Sequence, residues 1–130
     1  MRRSRSAHVL ALAVGLMAAG CGSSGQSSIA ATTSAPDDPS TVLTVTVHND
    51  QLDEVRTWLV VEGQRVRLGP VRAGSSETFY YALPGSRQVR LEFDVTLGRR
   101  CVTQDAPLAN GDDIAVRIPA QLIAFTGVCR

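Results

Sequence analysis

From residue 41 onward, hydrophobic and polar residues alternate with a period of two. "VLTVTVH" (42–48) sets Leu43, Val45 and Val47 on one face and Thr44, Thr46 and His48 on the other. That spacing is the signature of a half-buried β-strand. "VRTWLVV" (55–61) is rich in β-branched and aromatic residues, and "EGQ" predicts a hairpin turn into "RVRLG" (65–69). There Val66 and Leu68 are expected to face inward, with Arg65 and Arg67 outward. "ETFYYAL" (77–83) predicts a fourth strand, closed by Pro84 and Gly85. In "QVRLEFDVTL" (88–97) the residues Val89, Leu91, Phe93, Val95 and Leu97 alternate with Arg90, Glu92, Asp94 and Thr96. "CVT" (101–103) is a shorter candidate, "NGDD" a turn, and "IAVRIP" (114–119) repeats the alternation with Ile114, Val116 and Ile118. "LIAFTGVC" at the end predicts one more strand. No window shows a helical period. About seven or eight short strands with turn signals every 8–12 residues predict an all-β domain, a single small antiparallel β-sandwich over residues 41–130.

The chain before residue 41 follows different rules. Residues 22–40, "GSSGQSSIAATTSAPDDPS", contain Ile29 as their only large apolar side chain. Such a segment cannot bury enough surface to offset its ordering entropy, which predicts a disordered, flexible tether. Its mean reach is about 25 Å. Ahead of it stands "MRRSRSAHVLALAVGLMAAGC". Three arginines lie in the first five residues, an apolar run of 11 covers residues 9–19, and small residues lead to Cys21. A basic start, a short apolar stretch and a small-residue cleavage site are the layout of a secretory signal peptide, here residues 1–20. The apolar stretch falls short of the roughly 20 residues needed to span a bilayer.

"AAGC" (18–21) resembles the lipobox of bacterial lipoproteins. The resemblance implies cleavage just before Cys21, which then carries acyl chains such as palmitate and anchors the protein to a membrane. Each buried methylene contributes about 0.8 kcal/mol to such an anchor. Gly22 follows the cysteine, where an Asp retains lipoproteins in the inner membrane. In an organism with two membranes this implies delivery to the outer membrane, facing the periplasm or the surface. The sandwich segment resembles immunoglobulin-like and fibronectin type III-like modules in strand count and spacing. Immunoglobulin domains run Cys, Trp, Cys, whereas the order here is Trp58, Cys101, Cys129. A small open barrel and a transthyretin-like sandwich are the alternatives.

The cysteine count follows from this. Of three cysteines, Cys21 is set aside by the anchor, leaving Cys101 and Cys129 as an even pair in an oxidising compartment. A disulfide between them would stabilise a small domain by roughly 3–4 kcal/mol. Every basic side chain is Arg, which excludes Schiff-base lysines and the lysine of phosphate-binding loops. Removing Arg2, Arg3 and Arg5 with the signal leaves ten basic against twelve acidic residues, a net charge of −2. Nothing in that balance draws the chain towards nucleic acid.

Candidate chemistry is sparse. His48 is the one histidine left after the signal is removed, and no Gly-x-Ser-x-Gly elbow or His-Glu-x-x-His motif accompanies it. The acidic groups Asp50, Asp53 and Glu54, and Asp112 with Asp113, read as solvated turns. No metal or cofactor is expected. Arg65 and Arg67 with an exposed Tyr80 or Tyr81 are the candidates for a contact surface. The expected role is a lipid-anchored, non-enzymatic interaction or structural module of the cell envelope, with another envelope protein or a cell-wall component as partner. The alternative is an envelope ligand-binding or carrier protein with a pocket between the sheets.

Overall fold

The computed structural model describes residues 30–95 and 98–130. The expected signal peptide (1–20), Cys21 and residues 22–29 of the expected tether lie outside the described residues, as do Thr96 and Leu97 at the end of the fifth predicted strand. Among the described residues there are nine strands: β1 (Leu43–Asn49), β2 (Val55–Val61), β3 (Gln64–Val71), β4 (Ser76–Tyr81), β5 (Arg87–Asp94), β6 (Arg100–Val102), β7 (Ala106–Leu108), β8 (Asp113–Ile118) and β9 (Val128–Cys129). They form two sheets. One has three strands in the order β4-β1-β8; the other has six, in the order β3-β2-β5-β6-β9 with β7 also on β5. The all-β sandwich predicted from the alternation is the fold observed.

All the strand pairings are antiparallel except one. β8 runs parallel to β1, with Thr44 beside Asp113 and Asn49 beside Ile118. The two strands lie at opposite ends of the domain sequence, so no hairpin dictates their relative direction. β7 pairs with the Arg87–Val89 half of β5, and β6 with its Glu92–Asp94 half. Thr103 stitches the gap between them: its N–H donates to the Leu91 carbonyl and its hydroxyl accepts the Leu91 N–H.

Alternation sends Leu43, Val45, Val47, Phe79, Tyr81 and Ile118 inward from the smaller sheet. They meet Val55, Leu59, Val71, Val89, Leu91 and Phe93 from the larger. One close approach shapes the centre. Gly69 lies opposite Thr57 at a bulge between Thr57 and Trp58 and has φ of 151°. A Cβ there would sit 3.1 Å from Cε1 of Phe79, so the ring packs against bare backbone from across the sandwich. Beside it, the Thr57 hydroxyl is fully buried and finds no hydrogen-bond partner among the described residues.

Two asparagines tie the ends. At the end where β1 finishes, the buried Asn49 side chain donates through Nδ2 to the carbonyls of Asp53, Val71 and Arg72 at 2.8, 2.9 and 3.2 Å. Its Oδ1 accepts from the Gln51 N–H. At the opposite end, Asn110 accepts from the Leu83 N–H at 2.7 Å and donates to the Leu83 carbonyl at 3.0 Å, imitating a strand pair.

Both flanking segments join the sandwich. Thr32 exchanges two backbone hydrogen bonds with Tyr80 on β4, and Ala31 packs on the core, so contacts with the domain reach upstream of residue 41. The Asp38 carboxylate accepts from the hydroxyl and N–H of Ser40 and caps the short turn Pro39–Thr41. Those bonds, the hydroxyl first, hold its carboxyl below its ordinary pKa. After β8 the tail makes the turn Leu122–Ala124 and inserts Phe125 edge-on against Phe93, ring centroids 6.0 Å apart. At Gly127 a Cβ would lie within 2.9 Å of the Val102 carbonyl group, so only glycine lets the tail lie down on β6. The predicted disulfide, Cys101–Cys129, closes the β6–β9 pair.

Two substitutions test this packing. Asn49→Asp removes the donors from three converging carbonyls and is expected to lower unfolding stability by about 3 kcal/mol. Thr57→Val removes a buried unpaired hydroxyl at nearly constant volume and is expected to raise it by about 1 kcal/mol. Urea titration followed by circular dichroism measures both; equal midpoints for wild type and Asn49→Asp would show that the amide is not a tie.

Candidate functional site

The outward face of the larger sheet carries the densest polar cluster. Strand register places Trp58 between Arg67 on β3 and Glu92 on β5, and Val60 between Arg65 and Arg90. Val60 is 1% exposed although it is not part of the core cluster, and it is flanked across the strands by the long side chains of Arg65 and Arg90. The guanidinium of Arg65 sits 4.4 Å from the centroid of the Trp58 ring and places Nε 2.8 Å from Oε2 of Glu92. Arg90 approaches the other Glu92 oxygen at 3.1 Å and reaches Asp105 at 3.6 Å. Asp94 pairs with Arg100 at 3.2 Å. The Glu92 side chain is only 7% exposed, so its charge is held in low solvent by two guanidinium groups. This is a charge-paired surface stitched across β3, β2, β5 and β6. Arg67 has no ion-pair partner among the described residues and stays available to an anionic group.

The outward face of the smaller sheet is different in kind. Its cross-strand rows are Tyr80, Thr44 and Asp113; Thr78, Thr46 and Ala115; and Ser76, His48 and Arg117. Thr46 and Thr78 hydroxyls share a hydrogen bond of 3.2 Å, and His48 Nδ1 and Ser76 Oγ share one of 2.6 Å. Asp50, the nearest carboxylate along the chain, is engaged by Arg117 at 2.7 Å. The histidine and serine stand together on an open sheet face, with the carboxylate committed to an arginine.

The four candidate contact residues are therefore not one surface. Tyr81 points into the core and is 8% exposed. Tyr80 takes the outward position on β4, where it pairs with Thr32. Arg65 and Arg67 lie on the opposite face of the sandwich. Alternation requires neighbouring tyrosines to part, and the inward place goes to the one in step with Phe79. Among the described residues no group of three or more His, Cys, Asp or Glu is arranged to hold a metal ion. Asp112 instead accepts the Ala109 N–H in the turn before β8.

Two features escape a strand-by-strand reading. A groove of about 370 Å³ runs between β8 and the β5–β7 pair, lined by Val89, Leu91, Leu108, Ile114 and Val116 with Arg90 and Asp113 at its rim. A second cavity of about 300 Å³ shares Thr103 and Val116 with it and is lined by Pro119 and Ala124 of the tail. Leu52 and Ile123 are each 94% exposed. Leu52 sits in the acidic loop after β1, and Ile123 in the turn after β8, so both project from the end where those two parallel strands finish. In the sequence Leu52 is masked by its acidic neighbours, and "LIAF" resembles a strand.

No protein-family model matches the chain, and no curated protein matches its sequence. Among solved structures, the NMR structure of a protein from Eubacterium rectale is similar, with a TM-score of 0.51 and 16% identity, covering 74% of this chain and 93% of that one. At that identity the likeness concerns the fold alone.

Trp58 is the only tryptophan in the chain, which makes the Arg65 contact measurable. Arg65→Ala is expected to uncover the indole, shift its fluorescence to longer wavelength and lower stability by about 1 kcal/mol. An unshifted emission maximum would show that the guanidinium does not cover the ring.

Proposed function

We propose that this protein is a lipid-anchored module of the cell envelope that binds another envelope protein or a cell-wall component and performs no chemistry of its own. The observation that carries the proposal is the polarity of the sandwich. The chain enters beside the beginning of β1, through the Thr32–Tyr80 pair and the Pro39–Thr41 turn. Leu52 and Ile123 project from the opposite end, braced by a hydrogen bond from the Gln51 side chain to the Pro119 carbonyl. An anchor on Cys21 would leave eleven residue steps before Thr32, a span of at most about 36–40 Å. The domain would stay close to the membrane, with its exposed apolar loops able to point away from it. Such confinement raises the effective concentration of the domain toward partners in the same layer.

The chemistry of the faces favours binding. His48 and Ser76 pair on an open surface, and Asp50 is held by Arg117. The centre of the sandwich is filled by Phe79, Phe93 and their aliphatic neighbours, so the carrier alternative would have to use the groove between β8 and the β5–β7 pair.

Fractionation and metabolic labelling test the anchor. Wild-type protein is expected to sediment with membranes and to incorporate labelled palmitate, and Cys21→Ser to do neither. Identical labelling and processing of Cys21→Ser would overturn the lipid anchor. For the binding end, cross-linking in the intact envelope is expected to lose its adducts in the Leu52→Asp/Ile123→Asp double variant, at unchanged thermal stability. Retention of all adducts would remove the binding role from that end.

A further inference from the structure

We propose that the free edge of β8 is a self-association edge, on which two copies of this chain pair antiparallel about Ala115. The other sheet edges are each interrupted, short or partly met. β4 is met by Thr32. β3 carries Pro70 beside its bulge, β7 carries Pro107, and β9 is two residues long and tied by the disulfide. Proline, bulges and short length are the ordinary means of blunting a sheet edge. β8 has none of them. It runs six residues without Pro or Gly, and nothing among the described residues pairs with its far side.

The backbone of β8 points the right groups outward. The Asp112 carbonyl accepts from Thr44 N–H and the Ile118 carbonyl from Asp50 N–H. In a parallel ladder alternate residues bond to the neighbour, so the even-numbered residues face β1. Asp113, Ala115 and Arg117 therefore turn their N–H and C=O groups to the open edge. Their side chains are exposed, while Ile114 and Val116 lie half-buried over the apolar groove.

The order Asp-Ile-Ala-Val-Arg is self-complementary in one register. With Ala115 opposite Ala115 of a second copy, Asp113 faces Arg117 and Arg117 faces Asp113. Ile114 and Val116 face each other across the joint and extend the apolar cover of the groove. The residues that form hydrogen-bonded pairs in this register are the three whose backbone groups point outward. A shift of two residues keeps the backbone bonds but sets Asp113 or Arg117 opposite alanine. Arg117 already binds Asp50 through Nε and Nη2, and a guanidinium has further N–H groups for a carboxylate of the second copy. The product is a continuous six-stranded sheet across two molecules. It does not depend on the lipid anchor.

Sedimentation equilibrium of the full chain in density-matched detergent tests the proposal, with wild type, Asp113→Arg, Asp113→Arg/Arg117→Asp and Ala115→Pro compared. The wild type is expected to be dimeric. Asp113→Arg sets like charges opposite each other at both pairs and is expected to raise the dissociation constant by about tenfold or more. The double reversal restores opposite charges and is expected to recover the dimer. Ala115→Pro removes only an outward N–H, so it is expected to be monomeric with an unchanged circular dichroism spectrum. The same dimer in Cys21→Ser separates this edge from the anchor. A monomeric wild type would overturn the proposal, as would a dimer indifferent to Asp113→Arg and Ala115→Pro, the result expected if residues 1–29 or another protein occupy this edge.

Discussion

Where β1 ends and β3 gives way to the turn before β4, the carbonyls of Asp53, Val71 and Arg72 converge on a buried point, and each requires a donor. Water would need a cavity, and a charged side chain would need a counterion. A carboxamide needs neither. Asn49 fills the point with its Nδ2 and returns Oδ1 to the Gln51 N–H, while its own N–H donates to the Ser75 carbonyl. The loop that carries Leu52 is thereby held from below by a residue of the smaller sheet. So is the turn that links the two sheets. Val47, Val55 and Val71 are each fully buried, and their packing presupposes that those chain reversals are fixed.

The two outer faces divide the surface by chemistry. On the larger sheet, alternating acid and base meet across strands and pair, with Trp58 beneath Arg65. On the smaller sheet, hydroxyl groups and Ala115 leave a nearly neutral face. The difference follows from register. On the larger sheet, Glu92 and Asp94 share β5 with Arg90 and stand one strand from Arg56 and two from Arg65, whereas β1 contributes threonines at the matching places. Exposed ion pairs contribute little to stability singly. Around a nearly buried Glu92 they restrict how that strand can shift, because a slip of one residue would send the carboxylate into the core.

Much of the fold was legible along the chain. Leu43, Val45 and Val47 on β1, and Val89, Leu91 and Phe93 on β5, face inward as their alternation predicts. The pairing of Cys101 with Cys129 followed from counting. What stayed hidden depends on distant partners. β7 is three residues with a proline in the middle, too short for periodicity and discouraged by composition; it exists because half of one side of β5 is unoccupied. The parallel direction of β8 is a property of two strands that share no turn. Asn49, in "HND", resembles any turn asparagine until three carbonyls are placed around it. The tyrosine pair shows the intermediate case. Alternation says that one ring goes in and one out, and only the step from Phe79 says which.

The pairing of β1 with β8 has a consequence for how the molecule is made. Residues Thr44 and Asp113 are neighbours in the sheet but lie nearly seventy positions apart in the chain. Chain growth from the amino terminus produces β1 first and its parallel partner almost last. Contacts of such long range make folding slow, since a large loop must close before the contact rewards it. Until β8 arrives, β1 has a sheet partner on one side at most. Phe125, Gly127 and Cys129 come later still. The sandwich cannot be finished while the residues from Phe125 to Cys129 are still held in a ribosome. Folding of this domain is thus completed only when the chain through Cys129 is free to pack, with Phe125, Gly127 and Cys129 among the parts that complete it.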